Sequence, residues 1–153
     1  MQQFPLELMT FYHQQVLRFR EEMYPKEYLT MQVMRSKKFI DQHYARPLTL
    51  DEMAAEAYLS KFHFLRVFKH NYGRTPHQYL ISVRIARAKE LLAAGASLKE
   101  ACYCSGFESI SSFGGLFRRQ AGLPPYAYRQ RILLKKSNFE ESSLDRLSQI
   151  RRH

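Results

Sequence analysis

The stretch "FLRVFKHNYGRTPHQY", residues 64–79, has a second copy in "FGGLFRRQAGLPPYAY", residues 113–128. In each copy two phenylalanines stand four residues apart, so on a helix both rings lie on one face. A glycine and then a proline follow at matching positions, which indicates that one helix ends and another begins. A pattern of this length that occurs twice indicates an internal repeat.

A helix start precedes each copy of the repeat. "TLDE", residues 49–52, and "SLKE", residues 97–100, both match the capping box. In that motif a hydroxyl accepts a hydrogen bond from the backbone amide three residues on, and the glutamate reaches back to the amide of the cap. Each half therefore predicts a short capped helix, a tight turn and a second helix, which together form a helix-turn-helix.

A single long helix is predicted between the two halves. Thr75 is its expected N-cap, Pro76 lies in its first turn and Gly95 ends it. Another helix is expected from Lys26 to about Tyr44. No useful length of chain alternates with a period of two, so the predicted fold class is all-α, with two helix-turn-helix units on a linker helix.

The predicted organisation has five parts. Residues 1–34 form an N-terminal extension with an amphipathic helix, whose apolar stripe packs on its own domain or serves as a dimer or partner surface. The stripe consists of Met9, Tyr12, Val16, Phe19 and Met23. The other parts are the first helix-turn-helix unit at 35–74, the linker helix at 75–95, the second unit at 96–134, and a polar basic tail at 135–153, which is a short helix or disordered.

The net charge of +10 is concentrated in the middle of the chain. Residues 35–134 carry sixteen Lys or Arg against seven Asp or Glu, whereas residues 1–34 carry three against four. A basic domain of this kind indicates a polyanionic partner such as a nucleic acid, or less often an anionic membrane surface. Charge that serves only solubility is the alternative.

Cys102 and Cys104 are the only cysteines, and no metal or cofactor is expected. On a helix they point about 200° apart, so they cannot form a disulfide within it. Two thiols cannot complete a zinc site, and both residues are expected to be small buried side chains. No signal peptide or long apolar run is present, so the sequence predicts a soluble, intracellular protein without a membrane span.

Two segments resemble the DNA-binding domain of the AraC/XylS family of bacterial transcription regulators. They are "PLTLDEMAAEAYLSKFHFLRVFKHNYGRTPHQYLISVRIARAKELL" and "SLKEACYCSGFESISSFGGLFRRQAGLPPYAYR", and the resemblance covers roughly residues 35–131. It implies recognition helices at about 60–71 and 109–120, each inserted into the major groove of double-stranded DNA. It also implies a cytoplasmic, nucleoid-associated regulator that is not an enzyme. One departure is Tyr58, which stands in the first turn where the family usually has glycine.

The linker helix fits this arrangement. About 18 residues at ~1.5 Å each give roughly 27 Å, which suits recognition helices in major grooves roughly 34 Å apart. A monomer on DNA is therefore expected to span two turns of the duplex.

The first recognition helix has a basic face opposite its phenylalanines. With 100° per residue, Phe64 and Phe68 define the core side, and the opposite side is free to enter a groove. Arginine can bind guanine through two hydrogen bonds, and apolar side chains can contact a thymine methyl group. The expected base contacts are Phe62, Leu65 and Arg66, and the expected phosphate contacts are Lys61 and Lys69.

The second recognition helix has Gly114 and Gly115 where the first has Leu65 and Arg66. One interpretation is that this helix docks by phosphate contacts and reads little sequence, so that the first unit dominates. The other is that the glycines let the backbone approach the bases closely, at about 1 kcal/mol of helix stability each. We favour the first. The expected base contacts here are Ser111 and Ser112, and the expected phosphate contacts are Arg118 and Arg119.

On the linker helix, Arg84 and Arg87 are expected either to contact phosphates or to pack internally, and Arg84 is taken as a phosphate contact.

Two other function classes stay open. One is an adaptor that uses the same fold to bind RNA polymerase or another regulator. The other is an alkyl-transfer enzyme, in which Cys102 or Cys104 would have to react.

Overall fold

The computed structural model describes residue 15 and residues 26–150. The predicted helix over Met9 to Met23 lies outside these residues, apart from Gln15. Within the described part every regular element is a helix, which confirms the all-α prediction. The helices are α1 (Lys26–His43), α2 (Leu50–Glu56), α3 (Lys61–Tyr72), α4 (Pro76–Ala93), α5 (Leu98–Cys104), α6 (Ile110–Ala121) and α7 (Pro125–Ile150).

These helices divide into two compact units. Among the described residues, the first unit contains 26–40 together with 49–76, and the second contains 41–48 together with 77–150. Helix α4, which the sequence analysis treats as a linker, is therefore part of the core of the second unit. Its Ile85, Ala88 and Leu92 pack in one cluster with residues of α5 and α6.

Each unit has the same three-helix core. Helix α1 buries Val33, Ser36 and Ile40, and α4 buries three residues at the same three- and four-residue spacing. The repeat thus extends to the helix before each helix-turn-helix. The offset there is 52 residues rather than 48, because the chain from Ile40 to the cap Thr49 is four residues longer than the chain from Leu92 to the cap Ser97.

Both capping boxes form as predicted. The Thr49 hydroxyl accepts from the Glu52 amide at 3.2 Å, and the Thr49 amide donates to the Glu52 carboxylate at 2.8 Å. The Ser97 pair repeats this geometry with Glu100, at 3.1 and 2.8 Å. These bonds satisfy amides that a helix leaves unpaired at its start, and so they fix where α2 and α5 begin.

The repeated phenylalanines form the centre of each unit. Phe64 and Phe68 have no exposed surface and meet edge to face, with ring centroids 5.4 Å apart. Phe113 and Phe117 repeat the pair at the same distance. The tyrosine that ends the second motif, Tyr128, packs on Phe117 at 5.3 Å. The two phenylalanines of each copy therefore form the same buried aromatic pair.

The turn between α2 and α3 and the turn between α5 and α6 each contain one residue with a positive φ, but neighbouring atoms crowd only the second of these residues. Tyr58 has a φ of 52° and Gly106 has a φ of 90°. A left-handed residue with a side chain is costly, and Tyr58 gains a contact there because the Arg35 guanidinium lies 4.8 Å from its ring centroid. A Cβ on Gly106 would lie 2.6 Å from the Tyr44 carbonyl oxygen. The second turn therefore requires glycine, and the first does not.

Helix α7 extends well past the repeat. It has 26 residues, so the segment that the sequence analysis left as a short helix or disordered continues this helix as far as Ile150. Arg129 donates to the Gly95 carbonyl at 3.4 Å, and Lys136 donates to the Ala93 carbonyl. Along residues 26–150, no helix is both long and apolar enough to cross a membrane.

The second capping box predicts a pH-dependent contribution to stability. Hydrogen bonds from the Ser97 amide and hydroxyl lower the pKa of the Glu100 carboxyl. A lowered pKa in the folded state stabilises the protein above the unfolded pKa, and this stabilisation is lost as the pH falls through the folded value. Glu100→Gln should therefore unfold at lower urea concentration than the wild type at about pH 7, and the difference should vanish below about pH 3.

Ser97→Ala is the comparison variant, because it removes the bond from the Glu100 amide at every pH together with one of the two causes of the lowered Glu100 pKa. It should cost about 1 kcal/mol at about pH 7, and only part of this cost should disappear below about pH 3. Urea denaturation followed by circular dichroism measures all three proteins. A difference between Glu100→Gln and wild type that persists unchanged at low pH would contradict the assignment.

Candidate nucleic-acid interface

The outer face of α3 carries the side chains that the sequence analysis assigned to base reading. Because Phe64 and Phe68 fill the core, the opposite side of the helix must face solvent. Phe62 is 79% exposed there, and Arg66 and Lys69 are also exposed. An outward phenylalanine beside an outward arginine is an arrangement that core packing does not explain.

Two other predicted contacts of α3 have more constrained positions. Leu65 is only half-exposed, so less of its side chain is presented to a partner. Lys61 is exposed, but its Nζ lies 2.8 Å from Oδ1 of Asp51. A phosphate that binds Lys61 must share the ammonium with this carboxylate, which lies on α2. Because the two residues lie on different helices, helical periodicity could not indicate this contact.

The corresponding face of α6 carries mainly small and polar residues. Phe113 and Phe117 are buried, and Ser111, Ser112 and Gly115 lie on exposed positions. Arg118 and Arg119 in the last turn are also exposed. Neither α3 nor α6 contains an acidic residue, so both faces favour an anionic partner.

One exposed apolar residue of α6 was not among the predicted contacts. Ile110, the first residue of α6, is 49% exposed. The first residues of a recognition helix are those that contact base edges in helix-turn-helix proteins. Ile110 lies only about 60° from Phe113 on the helical wheel, so periodicity places it near the core side. Its position at the helix start is the signal that could have found it.

The two glycines of α6 are not required by packing. A Cβ built on Gly114 or Gly115 meets no atom within 4 Å beyond the helix's own nearby backbone. The pair therefore leaves open space on the outer side of the helix. The core is undisturbed, and what the glycines remove are side chains on the outer face.

Arg84 does not belong to either exposed face. Its Nε donates to the Tyr44 carbonyl at 2.8 Å, and its Nη2 donates to the Arg46 carbonyl at 2.9 Å. Burial lowers the pKa of its guanidinium, which the nearby Glu108 charge partly opposes. Two donors of the half-buried Arg84 are thus engaged with backbone carbonyls of the second unit, which favours the internal-packing alternative over a phosphate contact. Arg87, one turn on, is exposed and pairs with Glu90 at 2.8 Å.

The two cysteines of α5 have different surroundings. Cys102 is fully buried in the core of the second unit, where burial raises the pKa of its thiol. Cys104 is exposed, so the expectation that both are buried is wrong for this residue. Among the described residues, no three or more His, Cys, Asp or Glu side chains come together as a metal site would require.

Comparisons with known proteins agree with this geometry. A family model described as "Helix-turn-helix domain" matches residues 53–131, just over half of the chain. The chain is 36% identical over 92 residues to the probable transcriptional regulator LumQ of Photobacterium leiognathi, across 60% of this chain and 37% of that protein.

Two solved structures share the fold. One is the DNA-binding domain of the transcriptional factor AdpA in complex with a target DNA, with a TM-score of 0.65 and 31% identity over 69% of this chain and 96% of that one. The other is a probable AraC family transcriptional regulator from Rhodopseudomonas palustris, with a TM-score of 0.61 and 25% identity over 66% and 96%.

The chain spans about a third of the length of the curated relatives it matches, between 27% and 37% for the first three. The matched residues 53–131 reach from the first helix-turn-helix unit to the end of the second. The chain therefore belongs to the AraC-type helix-turn-helix family of transcriptional regulators.

Proposed function

We propose that this chain binds double-stranded DNA in a sequence-specific manner and regulates transcription. The observation that carries the proposal is the outer face of α3, where Phe62 and Arg66 project from a helix without acidic residues. The solved complex of a related domain with its target DNA supports the same use of the fold. A bacterial cytoplasm, at the nucleoid, is the setting that this function implies.

The first unit supplies most of the base readout. The Arg66 guanidinium can donate two hydrogen bonds to O6 and N7 of a guanine, and the Phe62 ring can pack on a thymine methyl group. Leu65 adds the apolar surface that it exposes. Lys69 contacts a phosphate, and Lys61 does so in competition with Asp51.

The second unit holds the duplex more than it reads it. Arg118 and Arg119 neutralise phosphates, while Ser111 and Ser112 offer short hydroxyls to the bases. Because one chain contains both units, we propose that it binds as a monomer to an asymmetric site. Several phosphate contacts then make the affinity fall steeply with salt.

Other function classes have weaker support. The adaptor that binds RNA polymerase finds no support in the comparisons. An alkyl-transfer enzyme that used Cys102 would need a buried thiol, whose raised pKa disfavours the reactive thiolate. Because the proteins that the chain resembles are transcriptional regulators, we propose a function without an enzymatic step.

Arg66→Ala should lose affinity mainly for the specific site. Removal of a two-bond guanine contact costs about 1–3 kcal/mol on a fragment selected from random DNA, and much less on a scrambled fragment. Lys69→Ala is the matched variant from the same helix. It should weaken both complexes similarly and reduce the salt slope by about one.

Fluorescence anisotropy titrations with the two fragments, at several salt concentrations, measure both effects. Arg66 would lose its assigned role if its variant lost as much affinity for scrambled DNA as for the selected fragment. Retention of no fragment by the wild type at low salt would contradict the proposed function as a whole.

Gly115→Ala distinguishes the two interpretations of the second recognition helix. Alanine at this open position should stabilise the protein by about 1 kcal/mol, because glycine is the poorer helix former. The affinity for the selected fragment should stay within about twofold of the wild type if α6 docks through phosphates. Gly114→Ala serves as the parallel variant.

Urea denaturation and anisotropy on the same preparations provide the two readouts. A variant that is more stable but binds at least about tenfold more weakly would show that the α6 backbone approaches the bases closely. That result would contradict the docking proposed for the second unit.

A further inference from the structure

We infer that Arg84 is a positioning residue for the second recognition helix: without touching DNA, it fixes the turn from which α6 begins. The inference rests on the proposed function in one respect, namely that α6 contacts the duplex. The contacts that carry it all lie within the second unit.

The first step is the anchoring of the segment that follows α1. The guanidinium of Arg84 donates from Nε to the Tyr44 carbonyl and from Nη2 to the Arg46 carbonyl, at 2.8 and 2.9 Å. These carbonyls belong to residues that follow α1, close to its C-terminal end, and the C-terminal end of a helix favours a positive charge. A rigid planar group with two donors fixes both carbonyls at once, which an ammonium group cannot do in the same geometry.

The second step is the contact between that segment and the turn. The Tyr44 carbonyl oxygen lies 2.6 Å from where a Cβ of Gly106 would stand. The Ala45 Cα and the Arg84 Nε each lie 3.0 Å from the same point. The turn therefore fits against the anchored segment only because Gly106 has no side chain, and Arg84 forms one wall of that fit.

The third step leads from the turn to α6. The Arg84 guanidinium carbon lies 5.9 Å from the centroid of the Phe107 ring, the residue after Gly106. Phe107 is 6% exposed and packs on Phe113, with ring centroids 5.2 Å apart. Phe113 is the first of the two phenylalanines that face α6 into the core. Arg84 therefore contacts Phe107, and Phe107 contacts Phe113, whose burial determines how α6 is rotated about its axis.

The first unit has no equivalent device among its described contacts. Its turn residue, Tyr58, is 66% exposed, and Arg35 covers the ring from the outside while it pairs with Glu56 at 2.8 Å. Loss of Arg84 should therefore affect the second recognition helix and leave the first in place.

Substitutions at Arg84 distinguish positioning from a phosphate contact. Arg84→Met and Arg84→Lys should both bind the full selected site about tenfold more weakly, because neither keeps the two charge-assisted bonds. Both should match the wild type on a shortened duplex that ends after the first half-site. Arg87→Met and Arg87→Lys, one turn along the same helix, are the matched controls and should lack this pattern.

A phosphate contact predicts a different result. In that case Arg84→Lys would bind like the wild type, and Arg84→Met alone would lose affinity, with a salt slope lower by about one. That outcome would overturn the inference. Wild-type affinity of both Arg84 variants for the full site would overturn it as well.

Hydrogen exchange in the free protein provides a readout that does not depend on DNA. Amides at 107–117 should exchange faster in Arg84→Lys and in Gly106→Ala, whose Cβ would push Tyr44 away, while amides at 50–72 keep the wild-type rate. Gly115→Ala is the glycine control: because it stabilises α6, exchange at 107–117 should become slower and not faster. Unaltered exchange at 107–117 in both variants would overturn the inference.

The DNA-binding titrations and the hydrogen-exchange measurements also distinguish a failure of this inference from a failure of the proposed function. If the wild type bound neither duplex, the proposed function would fail, and the exchange result would still decide whether Arg84 positions α6. Should Arg84→Met fail to fold, Arg84→Lys carries the comparison in both arms.

Discussion

Each unit buries two phenylalanines that lie one helical turn apart. Their burial determines how each recognition helix is rotated about its axis. With 100° per residue, burial of these rings decides which side chains face outward. The capping boxes, the glycine that ends each helix and the tyrosine that follows all support this one setting. A recognition helix rotated by a single residue would present apolar core side chains to solvent and bury charge, which costs several kcal/mol.

Most of the fold was predictable because the signals that specify it are local. Thr49 and Ser97 indicate helix starts, because their capping bonds join residues three apart in sequence. The spacing of Phe64 and Phe68 indicates a buried helix face. The outward placement of Phe62 and Arg66 follows from the same periodicity. None of these inferences needs a partner that is distant in sequence.

The contacts that could not be predicted from the sequence join residues that are far apart along the chain or lie on different helices. Arg84 finds the carbonyls of Tyr44 and Arg46, about forty residues away, and Lys61 finds Asp51 on another helix. Cys104 is exposed although composition favours burial for cysteine. The role of α4 as a core helix was hidden because its repeat with α1 lies in the pattern of buried positions and not in residue identity.

The open surface of Gly114 and Gly115 has a consequence for substitutions in the second unit. Side chains introduced there would project into empty space and would leave the interior as it is. Under the proposed function, single substitutions at these two positions would add side chains to the groove-facing side of the second unit and leave its core and the first unit unaltered.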